Sequence, residues 1–282
     1  MTTGTLTAGH AATAPLRNLR RAVTDTLVIA RRNVSRTLKE PESLIDVTIS
    51  PLVFTLLFAY VIGAAIVLPG GASYREYLIP GMFAMTMAST ASGTAVAVNT
   101  DMSTGIIDRF RSLPMSRAGV LAGQSLADLG TTIIALVVLV AAGFAVGWRI
   151  HGTAADAAAA FALTLLFAYA LNWAMACLGL VFRSAEGAQQ IGLIIMLGLT
   201  FISSAFVPTT KMPAGLRTIA NWNPVSALTA ASRHLFGNPN PADTIDAWPM
   251  QHPVTASLIW SLAMIAVFAP LAVHLYRTRS HR

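Results

Sequence analysis

The hydrophobic positions of this 282-residue chain fall in six long blocks, at about residues 47–68, 77–99, 129–147, 157–182, 188–207 and 254–276. Each block holds 19 to 26 residues. An α-helix rises about 1.5 Å per residue, so about 20 residues cross the ~30 Å hydrocarbon core of a bilayer. Backbone groups cannot go unpaired in lipid, so unbroken blocks of this length predict helices. No block shows the polar-in, apolar-out alternation of a membrane barrel. Only Arg183, Ser184, Ala185, Glu186 and Gly187 separate the fourth block from the fifth, which predicts a tight helical hairpin.

Three weaker patterns lie between the blocks. Val23, Leu27, Ala30, Val34 and Leu38 recur at helical spacing, with Arg31, Arg32 and Arg36 off the stripe. Residues 16–41 are therefore expected to form an amphipathic helix in the membrane interface, ended by Pro41. A solvated basic tail is the alternative. Residues 1–15 are small and polar, lack an apolar h-region, and are expected to be disordered. Residues 42–282 would form the six-helix transmembrane domain.

The second pattern is the stretch Asn99–Arg117, where Ile106, Phe110 and Leu113 fall on one helical face between Arg109 and Arg111, and Pro114 stops the helix. Such a face could seat in a partner's groove. An interfacial loop obeying the positive-inside rule fits the spacing equally well. The third is residues 208–253, a 46-residue segment with seven of the chain's 14 prolines. It holds two short amphipathic pieces, marked by Leu216, Ile219 and Trp222 and by Val225, Leu228, Leu235 and Phe236. Neither is long enough to span a bilayer, and both could dip into one leaflet if neighbouring helices protect them. A plain extracellular loop is the alternative.

Composition supports the membrane reading. Only 11% of residues are charged, against roughly 25% in soluble domains, while 55% are hydrophobic. The net charge of +7 points to orientation rather than to nucleic acid, because the basic residues cluster beside the blocks. With both termini inside, 14 Lys and Arg face the cytoplasm and 5 face outward, so an N-in, C-in topology is expected. Arg outnumbers Lys 17 to 2 and Ala is abundant, a composition of GC-rich bacteria.

The blocks contain no Asp, Glu, Lys or Arg, and His274 is their one imidazole. Asp128 and Asp156 are expected at the starts of the third and fourth helices, where a carboxylate suits the dipole. Ion-coupled carriers usually hold the coupling ion on intramembrane carboxylates or broken helices. Their absence disfavours such a carrier, and the lack of a titratable cluster disfavours a membrane hydrolase. Cys177, the only cysteine, excludes an internal disulfide and a cysteine-based metal cluster. A phosphate-binding loop needs Gly-Lys-Ser/Thr, and neither Lys39 nor Lys211 has that context. If the chain belongs to a pump, a separate protein must hydrolyse the ATP.

Small polar residues crowd the second block (Thr86, Ser89, Thr90, Ser92, Thr94) and the fifth (Thr200, Ser203, Ser204). Hydroxyls of this kind favour close helix packing and also suit a substrate path. Asn172 is expected to hydrogen-bond to a neighbouring helix.

The residues Asp101, Gly105, the run Arg109-Phe-Arg-Ser-Leu-Pro-Met-Ser-Arg117 and Gly123 resemble the type-2 permeases of ATP-binding-cassette exporters, particularly the daunorubicin-resistance-type permeases of actinobacteria. The segment Phe206-Val-Pro, Met212-Pro, Asn223-Pro-Val-Ser and Arg233 is similar to that family as well. Gln124 departs from it, since many relatives carry Arg there. The resemblance covers nearly the whole chain.

The resemblance implies an all-α membrane protein of six transmembrane helices, with an interfacial helix, a cytoplasmic coupling helix and short re-entrant outer helices before the last span. It implies that Asp101, Gly105, Ile106, Asp108, Arg109, Phe110, Arg111, Leu113, Pro114 and Arg117 couple to a cytoplasmic ATPase. It implies a path past Thr86, Ser89, Thr90, Asn172, Thr200, Ser203 and Ser204, and an outer gate at Phe206, Pro208, Trp222, Asn223 and Pro224. Two permeases would pair, identical or homologous, each with an ATPase subunit that uses ATP and Mg. The chain itself would bind no cofactor. The expected function is export of amphipathic drugs or lipids across the cell membrane. Export of a polysaccharide or other polymer, and ion-coupled drug antiport, are the alternatives.

Overall fold

The computed structural model describes residues 41–66, 68, 71–103 and 117–279. The amphipathic stretch before Pro41, the run Gly105–Pro114 and the end of the basic tail lie outside the described residues. Every regular element among the described residues is a helix. In chain order these are α1 (Pro41–Leu56), continued by a π-helical turn over Leu57–Ile62, α2 (Tyr74–Ser103), α3 (Arg117–Ala145), α4 (Ala154–Val181) and α5 (Ala185–Phe201). Then come α6 (Ala214–Trp222), α7 (Pro224–Phe236), α8 (Trp248–Gln251) and α9 (Pro253–Arg279), with short 3-10 turns at Thr209–Lys211 and Pro241–Thr244.

Each of the six predicted blocks carries a helix. Among the described residues three helices are long and apolar enough to cross a membrane, namely α3 over Asp128–Ala145, α4 over its whole length and α9 over Pro253–Tyr276. Ile49–Ile62 and α5 are shorter apolar helices. At 30 residues α2 is about 45 Å long, but its hydroxyls dilute its apolar character.

Three boundaries differ from expectation, and the first is that the helix of the first block runs from Pro41 to Ile62 rather than over 47–68. The third helix begins at Arg117, so Asp128 lies 11 residues inside it rather than at its start. There the Asp128 carboxylate accepts the Thr94 hydroxyl of α2 at 2.6 Å, which satisfies it without a helix-cap position. The fifth helix ends at Phe201, not at residue 207. Side chains from α2 and α7 capture the carbonyls beyond it, so an extra helical turn gains nothing. Asp156 does stand at a helix start. It forms a reciprocal capping box with Thr153 at the head of α4.

Helix α4 is the centre of the bundle, with 61% of its span buried against 22% for α9. It packs between α2 and α9, while α7 lies against α4 and α9. Without water to drive association, such packing relies on close backbone approach. Gly179 of α4 supplies one such approach, since a side chain there would strike the Ala95 carbonyl of α2. The core gathers Tyr77, Met82, Phe83, Met87, Trp148, Phe167, Leu171 and Phe236.

The bundle has two distinct ends. At the end where α2 and α4 begin, called upper, the α3–α4 turn docks onto α7. His151 and Gly152 donate backbone N–H groups to the Phe236 carbonyl, at 2.8 and 3.0 Å. Gly237 ends α7 with a φ of 68°, the left-handed cap that glycine adopts freely. At the lower end α2 finishes and the α4–α5 hairpin turns.

Candidate functional site

The main polar construction of the molecule is the break after α5. The last carbonyls of a helix have no partner within it, and each needs one when buried. Residues 203–208 also lie outside any helix. Side chains from two other elements meet this demand.

Asn223, at the head of α7, does the first part. Its Nδ2 donates to the carbonyls of Leu199 and Ile202, both at 2.7 Å, while its Oδ1 accepts the Val225 N–H at 2.8 Å. One amide thus closes α5 and caps α7, and Pro224 follows at the first helical position, where its missing N–H costs nothing. The Ser226 hydroxyl accepts the N–H of Ser204 at 2.9 Å. Ser203 folds its hydroxyl back onto the Thr200 carbonyl.

Helix α2 does the second part. The Tyr77 hydroxyl donates to the Ser204 carbonyl at 2.6 Å, and the Tyr74 hydroxyl to the Phe206 carbonyl at 3.1 Å. Gly81 gives the Ala205 carbonyl room, because any side chain at that position would overlap it. Arg233 of α7, 1% exposed, joins both structures. Its Nε donates to the Tyr77 carbonyl at 2.9 Å and its Nη2 to the Ala205 carbonyl at 3.0 Å. Its guanidinium centre lies 3.5 Å from the Tyr77 ring centroid. A cation is suited to this place, because the C-terminus of α5 carries partial negative charge.

The predicted gate residues divide here. Phe206 stacks on Phe58 of the α1 π-turn, with ring centroids 4.5 Å apart. Pro208 is buried beside it, and Thr209 donates its hydroxyl to Asn221 Oδ1 at 2.8 Å. Asn223 and Pro224 form the joint described above. Trp222 instead points outward at 53% exposure, in line with exposed Leu216 and Ile219 on α6.

The predicted path residues are not brought together. Thr86, Thr200, Ser203 and Ser204 are buried within this one chain. Ser89 is exposed and Thr90 half-buried on another side of α2, and their hydroxyls bond back to the Met85 and Met87 carbonyls of their own helix. Asn172 departs from expectation. It is 1% exposed, and neither atom of its amide has a partner.

At the lower end Asn99 does the work that Asn223 does above. Its Nδ2 donates to the carbonyls of Gly179 and Phe182, at 2.9 and 2.7 Å, and so holds the α4–α5 hairpin against α2. Asp101 follows on the last turn of α2. Of the other predicted coupling residues, Gly105, Ile106, Asp108, Arg109, Phe110, Arg111, Leu113 and Pro114 lie outside the described residues, and Arg117 begins α3. Among the described residues no three His, Cys, Asp or Glu side chains group to hold a metal.

Sequence reasoning missed Tyr74, Tyr77, Gly81 and Asn99. Each looks ordinary within its own helix, and each acts on a carbonyl or backbone far along the chain. Arg233 came into view only through its likeness to a family pattern.

A helical bundle with several apolar spans, closed at one end by a broken helix, is the architecture of a multi-pass membrane protein. Residues 24–236 match the model of the ABC-2 type transporter family, and the chain belongs to that family. It is 32% identical over 240 residues to the daunorubicin resistance ABC transporter permease protein DrrB1 of Streptomyces coeruleorubidus, covering 85% of this chain and 81% of that one. It is 23% identical over 263 residues to the probable doxorubicin resistance ABC transporter permease protein DrrC of Mycobacterium tuberculosis, with 92% and 91% covered. A putative transport permease, ycf38 of Porphyra purpurea, is 24% identical over 205 residues, with 71% and 69% covered. The chain is the non-catalytic membrane component of an ABC transporter, which implies an ATPase partner subunit.

Proposed function

We propose that this permease exports amphipathic drugs or lipids, driven by ATP hydrolysis on separate cytoplasmic subunits. The observation that carries this reading is the likeness to the daunorubicin resistance permease over 85% of the chain. The sequence adds that the six blocks hold no charged residue to bind a coupling ion.

In this reading six spans cross the cell membrane with both termini inside, so the upper end faces outward. The run Gly105–Pro114 docks on the ATPase, and α6 and α7 form a re-entrant segment in the outer leaflet. Irregular backbone at membrane depth survives only where protein buries it, and the capture of the 199–206 carbonyls supports that placement. Two permeases, identical or homologous, pair. ATP binding closes the ATPases, brings the coupling elements together and opens a path outward past Ser89 and Thr90 of α2. The buried hydroxyls of Thr86, Thr200, Ser203 and Ser204 serve chiefly to pack that wall.

The test is daunorubicin uptake into inverted vesicles that contain the permease with its ATPase. Uptake should require ATP and persist with an uncoupler present. Uptake abolished by the uncoupler would favour the antiporter, and ATP turnover stimulated by an undecaprenyl-linked glycan but not by daunorubicin would favour polymer export.

A further inference from the structure

We propose that Tyr77 and Arg233 are positioning residues that fasten the broken end of α5 to α2, so that α2 carries displacement from its lower end to the upper segment 202–208 as one rigid body. The inference rests on the reading above in which the lower end of α2 leads into the ATPase contact.

The argument is one of unequal attachment. Segment 202–208 is held to α2 by the Tyr74 hydroxyl, by the Tyr77 hydroxyl, and by Arg233 bridging the Tyr77 and Ala205 carbonyls. The bare Cα of Gly81 lets the Ala205 carbonyl lie directly on the helix. In a water-poor interior such bonds are stronger than at a surface and reinforce one another. Helix α5, to which the segment is joined covalently, packs chiefly on α2 as well, but it buries only Ala188, Gly192, Met196 and Thr200, a single narrow stripe. The segment should therefore follow α2 when the two helices move apart.

The path along α2 is continuous. Its 30 residues form one helix, with Tyr74 in its upper turn, Pro80 within the turn below Tyr77, and Asn99 about one turn from its lower end. Above, Phe206 meets the π-helical turn of α1 through Phe58. Such turns interrupt the regular ladder and often occur at functional positions in helices. Gly63, at the close of that turn, leaves space for the Tyr74 ring. Movement of α2 thus has a yielding element on its α1 side and a fastened one on its α5–α7 side.

Val207, exposed at the edge of the fastened segment, offers a reporter. The sole cysteine, Cys177, is buried and is replaced by alanine in the background. In the complex with its ATPase, Val207→Cys is labelled with a membrane-impermeant maleimide, with and without a non-hydrolysable ATP analogue. The rate should change with nucleotide in this background. Tyr77→Phe keeps the ring beneath Arg233 but removes one hydrogen bond, worth about 1 kcal/mol or a factor of about five. It should shrink the nucleotide-dependent change about fivefold at an unchanged ATPase rate. Arg233→Lys keeps the charge but not the two-pronged geometry, and should shrink the change likewise. An undiminished response in both variants would overturn the proposal, as would a response lost only in proportion to folded protein. A background protein with no nucleotide response would instead remove the gate reading, and the proposal with it. Should Tyr77→Phe fail to fold, Tyr74→Phe tests the same fastening from its outer bond.

Discussion

At the scale of single residues, the polar chemistry of this permease consists mainly of side chains completing backbone carbonyls. Asn99 is the plainest case. Its partners lie 80 and 83 residues away, at Gly179 and Phe182, so nothing local marks it as special. Asn99→Ala leaves two carbonyls to find new partners, and is expected to destabilise the detergent-purified protein by about 1–3 kcal/mol. A melting temperature equal to that of the parent would show that water replaces the amide without loss. Gly81→Ala tests steric complementarity instead. The added methyl would overlap the Ala205 carbonyl, forcing a backbone shift with a cost of about 1–3 kcal/mol. Gly93→Ala is the matched control, since no atom lies within 4 Å of a side chain added there.

Elements show a different logic, in which helix ends matter more than helix middles. The apolar run of the fifth block continues past Phe201, and hydropathy gives no reason to stop there. The helix stops where Asn223 takes the Leu199 and Ile202 carbonyls and Tyr77, Arg233 and Tyr74 take those of Ser204, Ala205 and Phe206 just beyond it. Asn223→Ala removes three hydrogen bonds at once and should lower the melting temperature clearly. Thr218→Ala on the exposed face of α6 should fall within about 0.5 kcal/mol of the parent. Equal effects of the two substitutions would deny the joint any special weight. The proposed ATPase contact is the run Gly105–Pro114, in which helical spacing would put Phe110 and Leu113 on one apolar face. Phe110→Asp or Leu113→Asp is expected to abolish co-purification of the ATPase while leaving membrane insertion intact. Retention of the ATPase by both variants would remove that docking assignment.

For the whole molecule, orientation is the quantity still to be measured. The bias of 14 to 5 basic residues predicts that residues 105–118 face the cytoplasm. Cysteines introduced there should resist an impermeant reagent in intact cells and react after permeabilisation. One introduced at Lys211 should react in intact cells. Labelling in the reverse order would invert the bundle, and with it the assignment of the upper end to the outside.

The positions of the helices were legible in the sequence because they depend on local quantities: block length, uncharged composition and the flanking basic residues. So were the place of Asp156 at the head of α4 and the two short helices of the 208–253 segment, which rest on local residue type and spacings of a few residues. The ends of α3 and α5, the packing of Gly81 on Ala205 and the cage around Arg233 were decided only by tertiary structure. Each depends on a carbonyl or a surface brought from a distant part of the chain, such as Ser204, which is 127 residues beyond Tyr77. Hydrophobic periodicity specifies where a helix can lie in a membrane. Where that helix breaks is set by which neighbour can hydrogen-bond its freed backbone, and no local pattern encodes that neighbour.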